Sequence, residues 1–185
     1  MSSRTTSKRT TKKNQRTNPF VNEELIALLD YRIEQEEQSA RFYHAMAVWL
    51  NDNGFMGAAK QWEADSQGEM THAQWAKDYL LDMGIKPKIP KLVEPPQEYD
   101  GLDDIIYQSY DHEVEVTSQC SKLAEYAAKS GNYLLYQLTM KYMQEQQEEL
   151  GKLQTLMDKL EAFGNDKVAM RLLDNELGAA AAPAK

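Results

Sequence analysis

The sequence predicts an all-α protein: a bundle of four long helices with one long crossover and a short fifth helix at its C-terminal end. Two observations support this fold class. Apolar residues recur at helical spacing from Asn22 onward, in four stretches of roughly 30 residues each. Only residues 85–101 interrupt this pattern at length, and no β-rich segment or internal repeat competes with it.

The first two helices are predicted to form an antiparallel pair. The first covers residues 22–50, because Asn22 is a suitable N-cap and the Asn-Asp-Asn-Gly turn at 51–54 favours a helix end. The second covers residues 57–83 and ends at Gly84, shortly before Pro87. Because the turn between them is short, the two helices should lie side by side in opposite directions.

The last three helices follow the same reasoning. The third covers residues 102–129 and ends at Ser130-Gly131, and the fourth covers residues 132–163 and ends at Gly164-Asn165. The tight turn between them predicts a second antiparallel pair. A short fifth helix covers residues 166–177.

A long connection joins the two helix pairs. Residues 85–101 have no helical pattern and contain Pro87, Pro90, Pro95, Pro96 and Gly101. An extended segment of about 17 residues spans more than about 45 Å, the length of a helix of roughly 30 residues. The connection can therefore run the full length of the bundle, which distinguishes this fold from a plain up-and-down bundle.

Charge and composition divide the chain into three parts. The first part, residues 1–20, carries six cations and no acid: Arg4, Lys8, Arg9, Lys12, Lys13 and Arg16. The net charge of −8 therefore comprises +6 in this basic arm and −14 in the remainder. The arm is rich in Ser and Thr and cannot bury enough apolar surface to order itself alone. We expect a disordered arm at 1–20, a folded domain at 21–178 and a flexible Ala-rich end at 179–185.

The composition also indicates a cellular compartment. No stretch of about 18 apolar residues is present, so nothing is expected to cross a membrane. The N-terminal segment has no apolar run of the kind that a secretory signal needs. Cys120 is the single cysteine, which excludes an internal disulfide and suits a reducing compartment. We therefore expect a cytoplasmic protein.

Acidic residues occur on the apolar face of every long helix, near its middle. An unpaired buried carboxylate costs several kcal/mol, and four would rival the stability of a whole domain, about 5–15 kcal/mol. These groups must be protonated, paired with cations or bound to metal, and carboxylates with imidazole suit iron. The polar residues on these faces are Glu36 in the first helix, Asp65, Glu69 and His72 in the second, Glu113 in the third, and Glu145 and Glu149 in the fourth.

The spacing within the second helix is more specific. Glu69-x-x-His72 places a carboxylate and an imidazole one turn apart on one face. A glutamate from each of two helices, with a Glu-x-x-His motif from each of the other two, is the pattern of di-iron bundles. Here the fourth helix has Gln146-x-x-Glu149 in place of the second motif.

Simpler interpretations stay open for single residues. One Glu-x-x-His motif on a helix is usually a surface feature. Arg32 lies one turn from Glu36, and Lys152 lies one turn from Glu149, so each pair could form an ordinary salt bridge at the bundle edge. A structural bundle without metal chemistry is therefore one alternative, although inward acids on all four helices favour metal.

At these residues the chain resembles the non-haem bacterial ferritins, which are ferritin-like di-iron carboxylate proteins. The resemblance covers about residues 22–177 and implies a ferritin-like four-helix bundle. It rests on Gly57-Ala58-Ala59, Glu69-Met70-Thr71-His72 and Asp78-Tyr79-Leu80 in the second helix, Asp111-His112-Glu113 in the third, and Glu145-Gln146-Gln147-Glu148-Glu149 in the fourth.

The resemblance implies a role for each residue of an intrasubunit di-iron centre. Glu36, Glu69 and His72 would hold the first iron. Glu69 would bridge to a second iron, completed by Glu113 and Glu149. Beside the centre, Gln146 would lie next to the second iron, and Tyr43 matches a tyrosine that serves as electron donor or hydrogen-bond partner.

Three departures from the family pattern affect these expectations. A third iron site is matched by Glu145, Glu148 and Glu149, but Gly68 stands where one more carboxylate is expected. Residues 132–141 contain no acid, so iron entry through acidic three-fold channels is not expected. Met70 matches the methionine of haem-containing relatives, but the second Glu-x-x-His motif is missing. We interpret Met70 as a packing residue and expect no haem.

The resemblance implies iron storage with ferroxidase activity. Dioxygen or hydrogen peroxide would oxidise Fe(II), and a ferric mineral would collect inside a homo-oligomeric shell of twenty-four subunits, with the fifth helix near the four-fold axis. The basic residues 4–16 could bind DNA or another polyanion, form a solvated tail or act as an organelle transit peptide. A Dps-like DNA-binding and protection protein is a further alternative, which the intrasubunit ligands disfavour.

Overall fold

The computed structural model describes residues 18–164 and 166–181. The described part contains no strand, and none of its helices is long and apolar enough to cross a membrane. The all-α prediction, with four long helices and one short helix, is confirmed. Residues 1–17 of the predicted basic arm lie outside the described residues, as do residues 165 and 182–185. The helices are α1 (Glu23–Asp52), α2 (Met56–Asp82), α3 (Leu102–Ser130), α4 (Tyr133–Phe163) and α5 (Lys167–Ala180).

The predicted helix ends agree with the structure to within three residues. Asn22 caps α1, since its side chain accepts a hydrogen bond of 2.8 Å from the backbone N–H of Leu25. The helix α5 continues to Ala180, three residues beyond its predicted end at 177, so residues 179 and 180 are helical. Each long helix is followed by a glycine with a positive φ angle, which other residues rarely adopt. These glycines are Gly54 (83°), Gly84 (79°), Gly131 (65°) and Gly164 (57°).

The crossover runs along the outside of α1. The helices pack as the pairs α1 with α2 and α3 with α4, as predicted, and residues 85–100 connect the pairs without regular structure. The connection therefore spans most of the bundle length. Its contacts with α1 are, in order, the Lys88 N–H to Asp30 Oδ1 (3.0 Å), the Val93 backbone to the Gln38 amide (2.8 and 3.1 Å), and the Tyr99 ring edge-on to Trp49 (5.8 Å between centroids).

The apolar core is divided into two ends with a polar layer between them. One end contains Leu50, Trp62 and Ile106. The other contains Leu29 and Leu80. The layer between them consists of polar side chains that are nevertheless buried. It includes Glu36, Glu69, His72, Glu113 and Gln146.

The fifth helix is attached to the start of α2. The Asp174 side chain, which is 3% exposed, accepts hydrogen bonds from the N–H groups of Gly57 (2.8 Å) and Ala58 (2.9 Å). It thereby caps α2, which has no side-chain cap from its own N-cap residue, Phe55. A Cβ atom on Gly57 would lie 1.8 Å from the Asp174 carbonyl oxygen, so only glycine allows this approach.

Candidate metal centre

Three side chains of the polar layer converge in the middle of the bundle. One ligand atom from each of Glu36, Glu69 and His72 lies within 4.8 Å of the others. The three residues are 1%, 3% and 7% exposed, and they come from α1 and α2. The His72 Nδ1 atom is 3.1 Å from Glu69 Oε2. Two carboxylates and an imidazole at this separation can hold one divalent cation.

Glu113 of α3 extends this cluster, and each of its carboxylate oxygens has a hydrogen-bond donor. The Tyr43 hydroxyl donates to Oε1, and the Gln146 amide donates to Oε2 over 3.1 Å. The Thr117 hydroxyl donates to the Gln146 carbonyl over 2.7 Å, which fixes the amide with its NH₂ group towards Glu113. Tyr43 and Gln146 therefore orient a buried carboxylate.

Burial gives the glutamates of the cluster unusual acidities. It raises the pKa of Glu36 well above its ordinary value, and the main opposing influence is the positive charge of Arg32. Burial, followed by the negative charge of Glu113, raises the pKa of Glu69 to about 8. Burial also raises the pKa of Glu113, against the hydrogen bonds from Tyr43 and Gln146. A cation bound among these carboxylates would favour their ionised forms.

Arg32 has a different place from the one that the sequence suggested. Its Nε atom is 2.9 Å from Glu36 Oε1, and the two side chains are only 2% and 1% exposed. The alternative of an ordinary salt bridge at the bundle edge does not hold for this pair, because the pair is buried inside the polar layer. Arg32 lies one turn before Glu36 on the same apolar face, and this position in the sequence could have predicted its burial.

The helix α4 also departs from the expectation of an inward carboxylate. Its buried polar side chains are Thr139 and Gln146, 0% and 3% exposed, and no carboxylate of α4 is buried to this extent. Glu149 is only half-buried, with its side chain 19% exposed and 2.7 Å from Lys152 Nζ. The residues predicted to face fully inward on α4, Glu145 and Glu149, therefore lie at the margin of the polar layer.

A cavity of about 520 Å³ adjoins the cluster. Tyr43, Asp65, Glu149 and Lys152 line it, together with Leu177 and neighbouring residues of α5. Burial, followed by the negative charge of Glu149, raises the pKa of Asp65 to about 7. Sequence reasoning placed Asp65 on the apolar face of the second helix but assigned it no function.

The residues expected at a third iron site are only partly brought together. The Glu145 Oε2 atom is 3.9 Å from His72 Nε2, and Glu149 lines the cavity. Glu148 is exposed, and no atom lies within 4 Å of the position that a Cβ on Gly68 would occupy. Met70, which was interpreted as a packing residue, is 47% exposed in the subunit, so that interpretation is wrong for the core of a single chain.

Comparison with known proteins places this fold in one family. The family model of the ferritin-like domain matches residues 26–163. The chain belongs to the ferritin-like family, and its resemblance to the non-haem bacterial ferritins is confirmed.

Two curated relatives and one solved structure illustrate the similarity. The bacterial non-heme ferritin of Escherichia coli is 32% identical over 154 residues, which cover 83% of this chain and 93% of the relative. A probable bacterial non-heme ferritin-like protein of Haemophilus influenzae is 29% identical, over 86% of this chain and 96% of that protein. The open pore ferritin of the archaeon Archaeoglobus fulgidus superposes with a TM-score of 0.83 at 30% identity, covering 85% of this chain and 97% of that one.

Proposed function

We propose that this protein stores iron by oxidising Fe(II) at an intrasubunit di-iron centre and depositing the Fe(III) product inside a hollow shell. The observation that carries the proposal is the buried convergence of Glu36, Glu69 and His72 within 4.8 Å. Family membership supports the same function, since the curated relatives are called non-heme ferritins. The substrate is Fe(II), and the oxidant is dioxygen or hydrogen peroxide.

We infer two positions for Fe(II), the first from the observed cluster and the second from the family resemblance. The first is formed by Glu36, Glu69 and His72. The second is formed by Glu69, Glu113 and Glu149, with Glu69 shared between the positions. The negative charges of Glu113 and Glu149 lie near enough to raise the pKa of Glu69, which agrees with three carboxylates close to one another. Anionic oxygen ligands stabilise Fe(III) relative to Fe(II), which favours oxidation.

The electron count fits a centre that holds two Fe(II) ions. Each Fe(II) gives up one electron, and dioxygen takes two electrons and two protons to become hydrogen peroxide. Hydrogen peroxide as oxidant takes two electrons and two protons to become water. Carboxyl groups whose pKa is raised by burial, such as Glu69, release protons when Fe(II) binds. Tyr43 keeps Glu113 in position through its hydrogen bond, and this two-electron step needs no electron from the tyrosine.

The product must then leave the centre for the interior of the shell. The cavity beside Glu149 gives it space. Glu145, Glu148 and Glu149 would form a weak inner site, because Gly68 supplies no ligand and Glu148 is exposed. By family resemblance we infer a shell of 24 subunits, with α5 near the four-fold axis.

Two competing functions have less support. A purely structural bundle would leave the burial of Glu36, Glu69 and Glu113 at one level without a purpose. A Dps-like protein would place its iron ligands at subunit interfaces, whereas Glu36, Glu69 and His72 meet within one chain. DNA binding would depend on residues 4–16, which lie outside the described residues.

Replacement of two ligands tests the proposal. Glu69→Ala with His72→Ala should abolish rapid Fe(II) oxidation, followed by the absorbance of the ferric product, while gel filtration shows an unchanged assembly. A matched control is His44→Ala with Glu63→Ala, which removes a Glu–His pair of similar length (2.7 Å) that is exposed. Oxidation by the first double variant at the rate of the unmodified protein would refute the proposed centre.

A further inference from the structure

We propose that Arg32 is a built-in counter-ion of the metal centre, which balances the charge of Glu36 before metal binds and weakens the binding of metal at the Glu36 position. Arg32 would act through Glu36 and is therefore a positioning residue. This inference rests on the proposed function, since it assumes that Glu36 is a metal ligand.

Arg32 is held in place from two helices. Its Nε atom is 2.9 Å from Glu36 Oε1 on its own helix, α1. Its Nη1 group donates to Gln119 Oε1 over 3.1 Å and to Cys120 Sγ over 3.5 Å, both on α3. The side chain is 2% exposed, so it has no route to solvent that avoids these contacts. The guanidinium is therefore fixed beside the centre.

Glu36 is the single anion in contact with this guanidinium in the described part of the chain. Gln119 is neutral, and burial raises the pKa of the Cys120 thiol to about 12, so that group is neutral as well. An arginine side chain stays charged at every pH that proteins tolerate. One permanent positive charge is thus assigned to one carboxylate, and that carboxylate also belongs to the metal cluster.

The corresponding cation at the margin of the centre is exposed to solvent. Lys152 pairs with Glu149 at 2.7 Å, but its side chain is 55% exposed and ends in a flexible ammonium group. Lys152 can move away into solvent when metal takes Glu149, whereas Arg32 cannot leave Glu36. The two proposed iron positions therefore differ in the charge that remains beside them.

A cation that cannot leave repels a metal ion, and it repels a trivalent ion more strongly than a divalent ion. The iron at the Glu36 position should consequently be held less tightly than it would be without Arg32, above all as Fe(III). In exchange, Arg32 stabilises the metal-free protein, because it compensates a buried carboxylate that would otherwise have no partner. The structural prediction is an unfavourable coupling between Arg32 and bound metal.

The coupling can be measured without iron oxidation, by using Co(II) as the probe. Arg32→Gln should lower the thermal midpoint of the EDTA-treated protein much more than that of the Co(II)-loaded protein. In a Co(II) titration it should tighten the Glu36 position by about tenfold, within the usual range of coupling between sites. Arg32→Lys keeps a positive charge but loses the contacts with Gln119 and Cys120, so it should lie between the unmodified protein and Arg32→Gln in both measurements.

A control separates this role from ordinary packing. Lys77→Gln breaks the pair that Lys77 of α2 forms with Glu37 of α1, whose side chains are 13% and 10% exposed, outside the metal cluster. It should lower the midpoints of the metal-free and Co(II)-loaded proteins equally. If Arg32→Gln assembles only in the presence of Co(II), this outcome also supports the proposal, because metal then replaces the missing cation.

Two results would overturn the inference in distinguishable ways. Equal loss of stability in the metal-free and loaded forms of Arg32→Gln, or weaker Co(II) binding, would reject the counter-ion role while leaving the centre intact. Failure of the unmodified protein to bind Co(II) would overturn the proposed function and, with it, this inference.

Discussion

Replacing Glu69 by glutamine should stabilise the metal-free protein at pH 8 while removing its ability to oxidise iron. Glu69 is 3% exposed and lies between Glu36 and Glu113, so its negative charge is unfavourable when no metal is bound. Glutamine has nearly the same shape and cannot ionise. The variant therefore separates the cost of the carboxylate from the packing of the side chain.

The size of the effect follows from the pKa of Glu69. A rise from 4.5 to about 8 corresponds to a difference of roughly 5 kcal/mol between the two protonation states. The folded protein binds this proton more tightly than the unfolded chain. The contribution of protonated Glu69 to the stability of the fold is therefore fully present below pH 4.5 and is lost as the pH rises through about 8. Because the negative charge of Glu113 is the second largest cause of this rise, part of the difference belongs to the pair, and we expect about 3 kcal/mol for Glu69 alone.

The assay is unfolding of EDTA-treated protein by heat and by urea at pH 4.5 and pH 8. At pH 8 Glu69→Gln should raise the thermal midpoint by about 6–12 °C, and at pH 4.5 the gain should vanish. Glu34→Gln on the exposed side of α1 is the control and should change neither value. Equal midpoints for Glu69→Gln and the unmodified protein at pH 8 would refute the assignment of a destabilising charge to Glu69.

Three further predictions concern other parts of the chain. Burial raises the pKa of Cys120 to about 12, so alkylation by iodoacetamide at pH 8, followed by mass spectrometry, should be roughly a thousandfold slower in the folded protein than in urea; equal rates would contradict this burial. Gly57→Ala should detach α5 and lower the free energy of unfolding by about 2–4 kcal/mol, with faster hydrogen exchange in residues 167–180. The control is Gly151→Ala, where no atom lies within 4 Å of the added Cβ. It should raise the free energy of unfolding by up to about 1 kcal/mol. Removing residues 1–20 should leave Fe(II) oxidation unchanged. If the arm binds DNA, the full chain should be retained on DNA with a log–log salt slope of about −5 and the truncated chain should not; an identical gel shift by both chains would exclude a role for the arm.

The fold was accessible to sequence reasoning because its signals are local. Asn22 and the glycines at 54, 84, 131 and 164 mark helix ends through their own backbone preferences, and the prolines of residues 85–101 exclude a helix there. The docking of α5 was not accessible in this way. It depends on Asp174 meeting Gly57, a contact between residues 117 positions apart that leaves no periodic pattern.

Site residues could be predicted from the sequence where they lie at the centre of an apolar helix face, and less reliably where they lie near its margin. Glu36, Glu69, His72 and Glu113 occupy the middle of their faces, and all four are buried. On α4 a rotation of the helix by about one residue decides between Glu145 and Gln146, and hydrophobic periodicity does not resolve so small an angle. The burial of Arg32 was missed because a charged residue one turn from an acid is usually solvated.

The interruption of the apolar core by a polar layer separates the residues that hold this protein together from those that give it chemistry. Leu50, Trp62 and Ile106 at one end, and Leu29 and Leu80 at the other, keep the four helices in register on both sides of the layer. Replacement of a side chain in the polar layer between these two apolar ends therefore alters mainly its immediate neighbours. The same scaffold can accept other ligand sets, and so other metals or oxidants, without being rebuilt.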